Sequence, residues 1–352
     1  MKFCILGPVE TPTCLGGVAI FDIGLAKALK NEAMEVFIAT DQKDAISIVK
    51  DDIPIYKVKK NTFAQLIKTE KPDVIITGLA YAKLLFGVKS DATKIYFLHS
   101  YFKQSYYGKI KSILAVIYQK LLLTKCDLIF SNSYFTEMIN SDFFGIESDA
   151  VFHVGVTESY LQSIKENETI QKRTSTVFFA GRFVPAKGVD KIIEAIQILR
   201  QEGVDCELMI AGDGPEKEKL LRQANESAAN IVFLGRIPQE EIVKKYLETE
   251  VFVSLDISEP YGIVFPEALL ANCKIVCPYT GGQIEHLNNY YPESVCYINR
   301  RSARSIAEGI KEMLEYGKAP NLTEEQREGY TYRNSAKGII EYVTEWRKNN
   351  GR

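Results

Sequence analysis

Short apolar runs recur from one end of the chain to the other, each closing on a small or polar residue and each followed by a longer amphipathic stretch. In the first half these runs predict strands at Phe3–Gly7, Glu35–Thr40, Val74–Thr77, Ile95–His99, Leu128–Ser131 and Val151–Val154. A second series begins at TVFFAGRF, with strands near Val177–Ala180, Glu207–Ala211, Ile231–Leu234, Val251–Leu255 and Lys274–Val276. Ile20, Ile23, Leu25 and Leu29 mark a helix opening near Gly17, and Val189, Ile192, Ile193, Ile196 and Leu199 fall at helical spacing over Val189–Arg200. Strands that alternate with helices in this way build parallel sheets covered on both faces, so the expected class is α/β with doubly wound domains. The polar, aperiodic stretch TESYLQSIKENETIQKRTST separates the two series and reads as a linker. The domains are then residues 1–157 and 172–334. The tail, residues 335–352, puts Ile339, Ile340, Val343 and Trp346 on one face and so must pack on something.

A chain of 352 residues accommodates two such domains, each with its own core. A formal charge of -2 removes the basic excess that a nucleic-acid partner requires. Seven cysteines, an odd number without a C-x-x-C pair, read as reduced core residues. His99, His153 and His286 share no metal-type spacing with one another or with acidic residues, so no metal is expected. The opening apolar run meets Gly7-Pro8 too soon for a signal-peptide core, and the longest apolar candidate, Ile110–Leu123, is broken by Lys111, Tyr118, Gln119 and Lys120. A cytoplasmic protein without a membrane span is the expectation, with a possible place at the inner face of the membrane considered below.

Ligands of open parallel sheets bind beyond the C-terminal strand ends, where helix starts offer unpaired N–H groups. Three segments fall at such positions. Gly16-Gly17-Val18 lies between the first strand and the first helix, where glycines let backbone approach a ligand; a plain tight turn would look the same. AGRFVPAKG (180–188) brings Arg182 and Lys187 to the start of a helix, which suits a pyrophosphate whose charge grows as a bond to it breaks. It is not a magnesium-binding P-loop, because Gly188 stands where Ser or Thr would hold the ion. SEPYGIVFPEALL places Glu259 and Glu267 on either side of a turn and a helix start, with Gly262, Ile263 and Val264 between them. Carboxylates so placed accept hydrogen bonds from vicinal hydroxyls such as those of sugars and ribose. A plain role for Glu267 as a complement to the helix dipole is the alternative.

The combination is more specific than its parts. FAGRFVPAKG, AGDGP (211–215), FLGRIP (233–238), EPYGIVFPEAL and TGG (280–282) resemble, in order and approximate spacing, the motifs of family 4 of the retaining glycosyltransferases. The resemblance covers nearly the whole chain and implies the GT-B fold, two Rossmann-like domains facing a central cleft, with the tail helix crossing back onto the first. It implies that Arg182 and Lys187 bind the donor diphosphate, approached by Gly16 and Gly17. Glu267 then holds the ribose, with Arg236 and Ile237 along the base. Glu259 with Gly262, Ile263 and Val264 contacts the transferred sugar, and His99 touches it near the bond that breaks.

The implied activity is transfer of a hexose or N-acetylhexosamine from a nucleotide sugar, UDP being the commonest nucleotide for the pattern. The acceptor would be a glycan, a polymer or a lipid-linked molecule in cell-surface polysaccharide or glycoconjugate synthesis. Retention by front-face attack needs no cofactor, the cations and helix dipoles doing a metal's work, and no D-x-D motif is present. Two departures stand out: Leu255-Asp256 replaces a Pro-Ser pair, and Ala19-Ile20 follows Gly-Gly-Val where an acidic residue is frequent. An NAD-dependent oxidoreductase is disfavoured because Gly212-Asp213-Gly214-Pro215 fails the dinucleotide fingerprint. A sugar-nucleotide epimerase and an inactive partner subunit remain as rivals. The basic, aromatic stretch 101–125 offers Lys103, Lys109, Lys111, Tyr106 and Tyr107 to an anionic lipid. Its apolar residues Ile113, Leu114, Ile117 and Leu121 read more simply as the core side of a helix.

Overall fold

The computed structural model describes residues 1–9, 17–102 and 108–352. They divide into two compact units, one of Met1–Gly155 with Glu328–Arg352 and one of Val156–Arg327.

The first unit is built on strands β1 (Lys2–Leu6), β2 (Glu35–Thr40), β3 (Ile48–Lys50), β4 (Ile53–Lys57), β5 (Val74–Thr77), β6 (Thr93–Leu98), β7 (Leu128–Ser131) and β8 (Ala150–Val151). Their spatial order is β3-β4-β2-β1-β5-β6-β7-β8, and only β3 runs antiparallel to its neighbour. Because a parallel strand is covered on both faces, its residues are buried whichever way they point. Phe3 and Ile5 join one core, Cys4 and Leu6 the other. Helices α1 (Gly17–Asn31), α2 (Lys60–Glu70), α3 (Lys109–Leu123) and α4 (Tyr134–Phe144) lie among these strands in sequence. The hairpin β3–β4 has no counterpart among the expected strands. Its first strand is exposed throughout and carries no buried face for a sequence pattern to show.

Helix α3 corrects a sequence reading. Ile113, Leu114, Ile117 and Leu121 do not face the core; with Ile110 they stand between 50% and 75% exposed. The buried side carries Ser112, Gln119 and Leu122 instead. Helical periodicity identifies an apolar stripe but not the direction in which it points.

In the second unit the stretch expected as a linker holds helix α5 (Glu158–Glu166), whose N-cap Thr157 side chain accepts from the Tyr160 N–H at 3.2 Å. Tyr160 is its one large buried side chain, too little for periodicity to reveal. The sheet comprises β9 (Arg173–Ala180), β10 (Glu207–Ala211), β11 (Asn230–Gly235), β12 (Thr249–Val253), β13 (Lys274–Cys277) and β14 (Val295–Tyr297), in the order β11-β10-β9-β12-β13-β14. Between them run α6 (Val189–Gln201), α7 (Lys217–Glu226), α8 (Gln239–Glu248), α9 (Val264–Leu270) and α10 (Ile284–Leu287). Helix α11 (Ala303–Glu315) follows β14 and packs beside α6. After α12 (Glu324–Gly329) the chain forms α13 (Tyr332–Asn349), which belongs to the first unit. There Tyr332, Ala336, Ile339 and Val343 join the core against α1. The Arg347 guanidinium donates to the Asp73 carbonyl at 2.6 Å.

Candidate functional site

Strands β9 and β12 are parallel neighbours, so the loops that leave their C-terminal ends lie side by side. The β9 loop carries Arg182 and Lys187; the β12 loop carries Asp256, Glu259 and Gly262. Lys187 lies at the join. Its ammonium donates to Glu259 Oε1 and sits 3.2 Å from Asp256 Oδ2. Burial alone would lower the pKa of this lysine, but the two carboxylates outweigh it and hold the ammonium above its ordinary range. Asp256 is fixed from its other oxygen, which accepts from the Ser258 N–H at 2.8 Å. Burial works to raise its pKa, yet Lys187 and the Ser258 bonds bring it below the usual carboxylate value. Arg182 is exposed, and its guanidinium makes no hydrogen bond or ion pair among the described residues.

The β9 loop is anchored by the segment after β10. The Phe183 N–H donates to the Asp213 carbonyl at 2.9 Å, and the Gly181 N–H donates to the Ala211 carbonyl at 3.0 Å. The β12 loop is held by residues that follow β13: the Gly282 N–H donates to the Glu259 carbonyl at 2.9 Å, and buried His286 places Nε2 3.1 Å from the Tyr261 carbonyl. AGDGP and TGG are therefore struts for the two loops. Gly262 has φ +81°, and a Cβ there would meet the Phe265 ring at 2.8 Å. Only glycine lets the turn swing into α9 without strain. Ile263 and Val264 follow directly, both half-buried.

Glu267 projects from α9 into a different set of partners. Its Oε1 accepts from Gln239 Nε2 at 3.2 Å and its Oε2 accepts from the Tyr246 hydroxyl at 3.3 Å, while its carbonyl accepts from the Tyr160 hydroxyl at 2.7 Å. Desolvation pushes the carboxyl up to about 7, partly countered by the Gln239 and Tyr246 hydrogen bonds. Gln239 begins α8 just after exposed Arg236 and half-buried Ile237, so the segment expected at the base leads directly to Glu267. The two glutamates thus occupy different environments: Glu259 in an ion-paired cluster, Glu267 among neutral donors.

In the first unit His99 follows the end of β6, with its carbonyl accepting from Asn132 Nδ2 at 3.0 Å. Phe21 meets the imidazole edge-on at 4.6 Å between centroids, and Phe97 stacks on it at 5.0 Å. Burial among these rings drives its pKa down to about 4, so the imidazole is neutral at physiological pH. It lines a cavity of about 430 Å³ with Tyr81, Tyr96, Tyr101, Gln119 and Asp22. Asp22, 5% exposed, was not foreseen from the sequence. It lies so close to the backbone that a Cβ on Gly7 would come within 1.9 Å of its Oδ2. Burial raises its pKa well above the carboxylate range. An acidic residue inside the apolar run AIFDIGLA was the available signal. Gly17 opens α1 and is exposed; Gly16 lies outside the described residues.

Residues 162–329 match the family model of group 1 glycosyl transferases. The GDP-mannose-dependent alpha-(1-6)-phosphatidylinositol monomannoside mannosyltransferase of Mycobacterium tuberculosis is 28% identical over 149 residues, 40% of this chain and 38% of that protein. The matches span less than half the length of the curated relatives. Among solved structures, sucrose-phosphate synthase from Thermosynechococcus elongatus superposes with a TM-score of 0.79 at 15% identity, covering 98% of this chain and 99% of that one. Anabaena HepE in complex with UDP-glucose gives 0.73 at 16% identity, covering 98% and 100%. At such identities the likeness shows the fold, which is GT-B.

Proposed function

We infer that this chain, whose residues 162–329 belong to the group 1 glycosyltransferases, moves a hexose or N-acetylhexosamine from a nucleoside diphosphate to an acceptor hydroxyl with retention of configuration. The observation that carries the reading is the join of the β9 and β12 loops. A half-buried, permanently charged Lys187 and an unpaired Arg182 stand beside a glycine turn and two glutamates in unlike surroundings.

In this reading the diphosphate takes Lys187 from its carboxylate partners and is clamped by Arg182. Those two cations stabilise the charge that develops as the bond from the anomeric carbon to the phosphate oxygen breaks, without a metal. The acceptor oxygen forms its bond to the same face of that carbon, and its proton passes to the departing phosphate oxygen. Glu259, released from Lys187, serves the sugar with the backbone of Gly262, Ile263 and Val264. Glu267 accepts from the ribose hydroxyls, and Arg236 and Ile237 flank the base. To His99 the same reading gives the reacting end of the sugar, as a neutral hydrogen-bonding ring.

For the nucleotide we propose uridine diphosphate. The mycobacterial relative is GDP-mannose-dependent, whereas HepE is seen with UDP-glucose, so guanosine is the rival base. The acceptor is a glycan, a polymer or a lipid-linked molecule. The test is donor hydrolysis and thermal shift against a panel of UDP- and GDP-sugars, followed by determination of the product anomer. One donor should release its nucleoside diphosphate and yield the α or β linkage it began with. No release and no thermal shift with any nucleotide would refute the reading; binding without turnover would favour an inactive partner subunit.

A further inference from the structure

Helix α3 is built inside out for a water-soluble surface. At about 100° per residue, Ile110, Ile113, Leu114, Ile117 and Leu121 fall within a stripe roughly 100° wide, and all five side chains are exposed. The side turned into the protein holds polar groups beside one leucine: Ser112 and Gln119 are buried there with Leu122, and Gln119 lines the His99 cavity. Exposed apolar residues scattered singly need no explanation, but a continuous stripe of five on one helix marks a contact surface.

Charge decides what the stripe meets. The sequence of α3 contains no Asp or Glu. Lys111 and Lys120, both exposed, flank the stripe on its two sides, placed for their stems to lie along apolar material while their ammonium groups stay wet. The Tyr118 edge opens onto a second cavity, of about 560 Å³, lined by Lys59, Lys60 and Lys83 together with Asp41. Asp41 pairs with Lys83 at 3.0 Å, which leaves a net positive rim. A second copy of the chain stacked on this face would set lysine against lysine. A surface that is apolar beneath and negative at its rim satisfies both features, and that is an anionic bilayer.

We propose that α3 seats the first unit on an anionic membrane surface, its isoleucines and leucines buried at the headgroup boundary and Lys59, Lys60, Lys111 and Lys120 meeting lipid phosphates. No helix of the described residues is long and apolar enough to cross a membrane, so the contact is peripheral. It also narrows the acceptor of the proposed reaction to one presented at that surface, a step that rests on the sugar-transfer reading; the docking itself does not.

The test is flotation of the full chain with vesicles of phosphatidylcholine alone or mixed with phosphatidylglycerol. Binding should appear only with phosphatidylglycerol and weaken as salt rises. Ile113→Glu with Ile117→Glu should abolish it, and Lys59→Glu with Lys60→Glu should reduce it by about fivefold or more for each lysine reversed. Both doubles should keep the wild-type melting temperature and nucleotide thermal shift, which separates failed docking from a failed sugar-transfer reading. Should the isoleucine double misfold, the lysine double decides alone. Equal binding to both vesicle types overturns the charge argument. No vesicle binding, with or without a dimer that the isoleucine double disrupts, overturns the proposal.

Discussion

Glu267→Gln should make the unliganded protein more stable at neutral pH while weakening its hold on nucleotide. The carboxyl is raised from 4.5 to about 7, chiefly by desolvation. The folded state therefore binds this proton more tightly than the unfolded chain does. Stability from this group is complete below about 4.5, is lost as pH rises from there to about 7, and is flat above. At about 1.4 kcal/mol per pKa unit the loss has a ceiling near 3 kcal/mol, and the half-buried carboxyl, which keeps some water, should show about 1–3. Glutamine keeps the volume and one acceptor oxygen, and its amide can donate to the Tyr246 hydroxyl that Glu267 now accepts from. The variant should melt several degrees above wild type near pH 8, at about 2–4 °C per kcal/mol, and the gap should close toward pH 5. Calorimetry on the same protein should show UDP weakened by about 1–3 kcal/mol, the scale of an unmatched buried polar partner. A melting gap independent of pH, or a variant less stable than wild type near pH 8, would refute the desolvation argument. Unchanged UDP affinity would refute the ribose assignment.

Lys187→Met should cost UDP affinity about tenfold or more, the scale of a charge-assisted hydrogen bond, read by the same calorimetry. Glu259→Gln should leave UDP affinity intact or raised, because it frees Lys187, and should act mainly on kcat; equal loss of UDP in the two glutamate variants would contradict their separate environments. Transfer should survive EDTA, with rescue by magnesium or manganese counting against the cationic clamp. The pH profile of transfer should lack a break near 6.5 from His99, whose pKa lies near 4, and any His99 break should sit on the acid side.

The two loops of the candidate site were legible because each is one contiguous run: AGRFVPAKG and EPYGIVFPEAL each span one strand-to-helix junction. The ion pair of Lys187 with Glu259 was not, because it depends on β9 and β12 being neighbours while β10 and β11 stand on the far side of β9. A crossover of that kind leaves no local trace. The same strand order gives Asp256 its role, where the sequence showed only a departure from a familiar pair. For α3 the stripe was read correctly and its direction was not, since spacing is the same whether the helix faces core or solvent. Helix α5 was hidden by its composition, with Tyr160 as the one large side chain it buries.

Helix α13 gives the chain an order of assembly. Tyr332, Ala336, Ile339 and Val343 complete the packing around α1, more than 300 residues earlier, and everything in Val156–Arg327 is synthesised between the two. On a ribosome adding about 5–20 residues per second, the second unit can close while the first still waits for its last helix. During that interval the apolar face of α1 that will meet Tyr332 and Ile339 has no cover, and a nascent chain is open to chaperones at that place. Loss of residues 328–352 would damage not the unit they follow in sequence but the one at the opposite end of the chain.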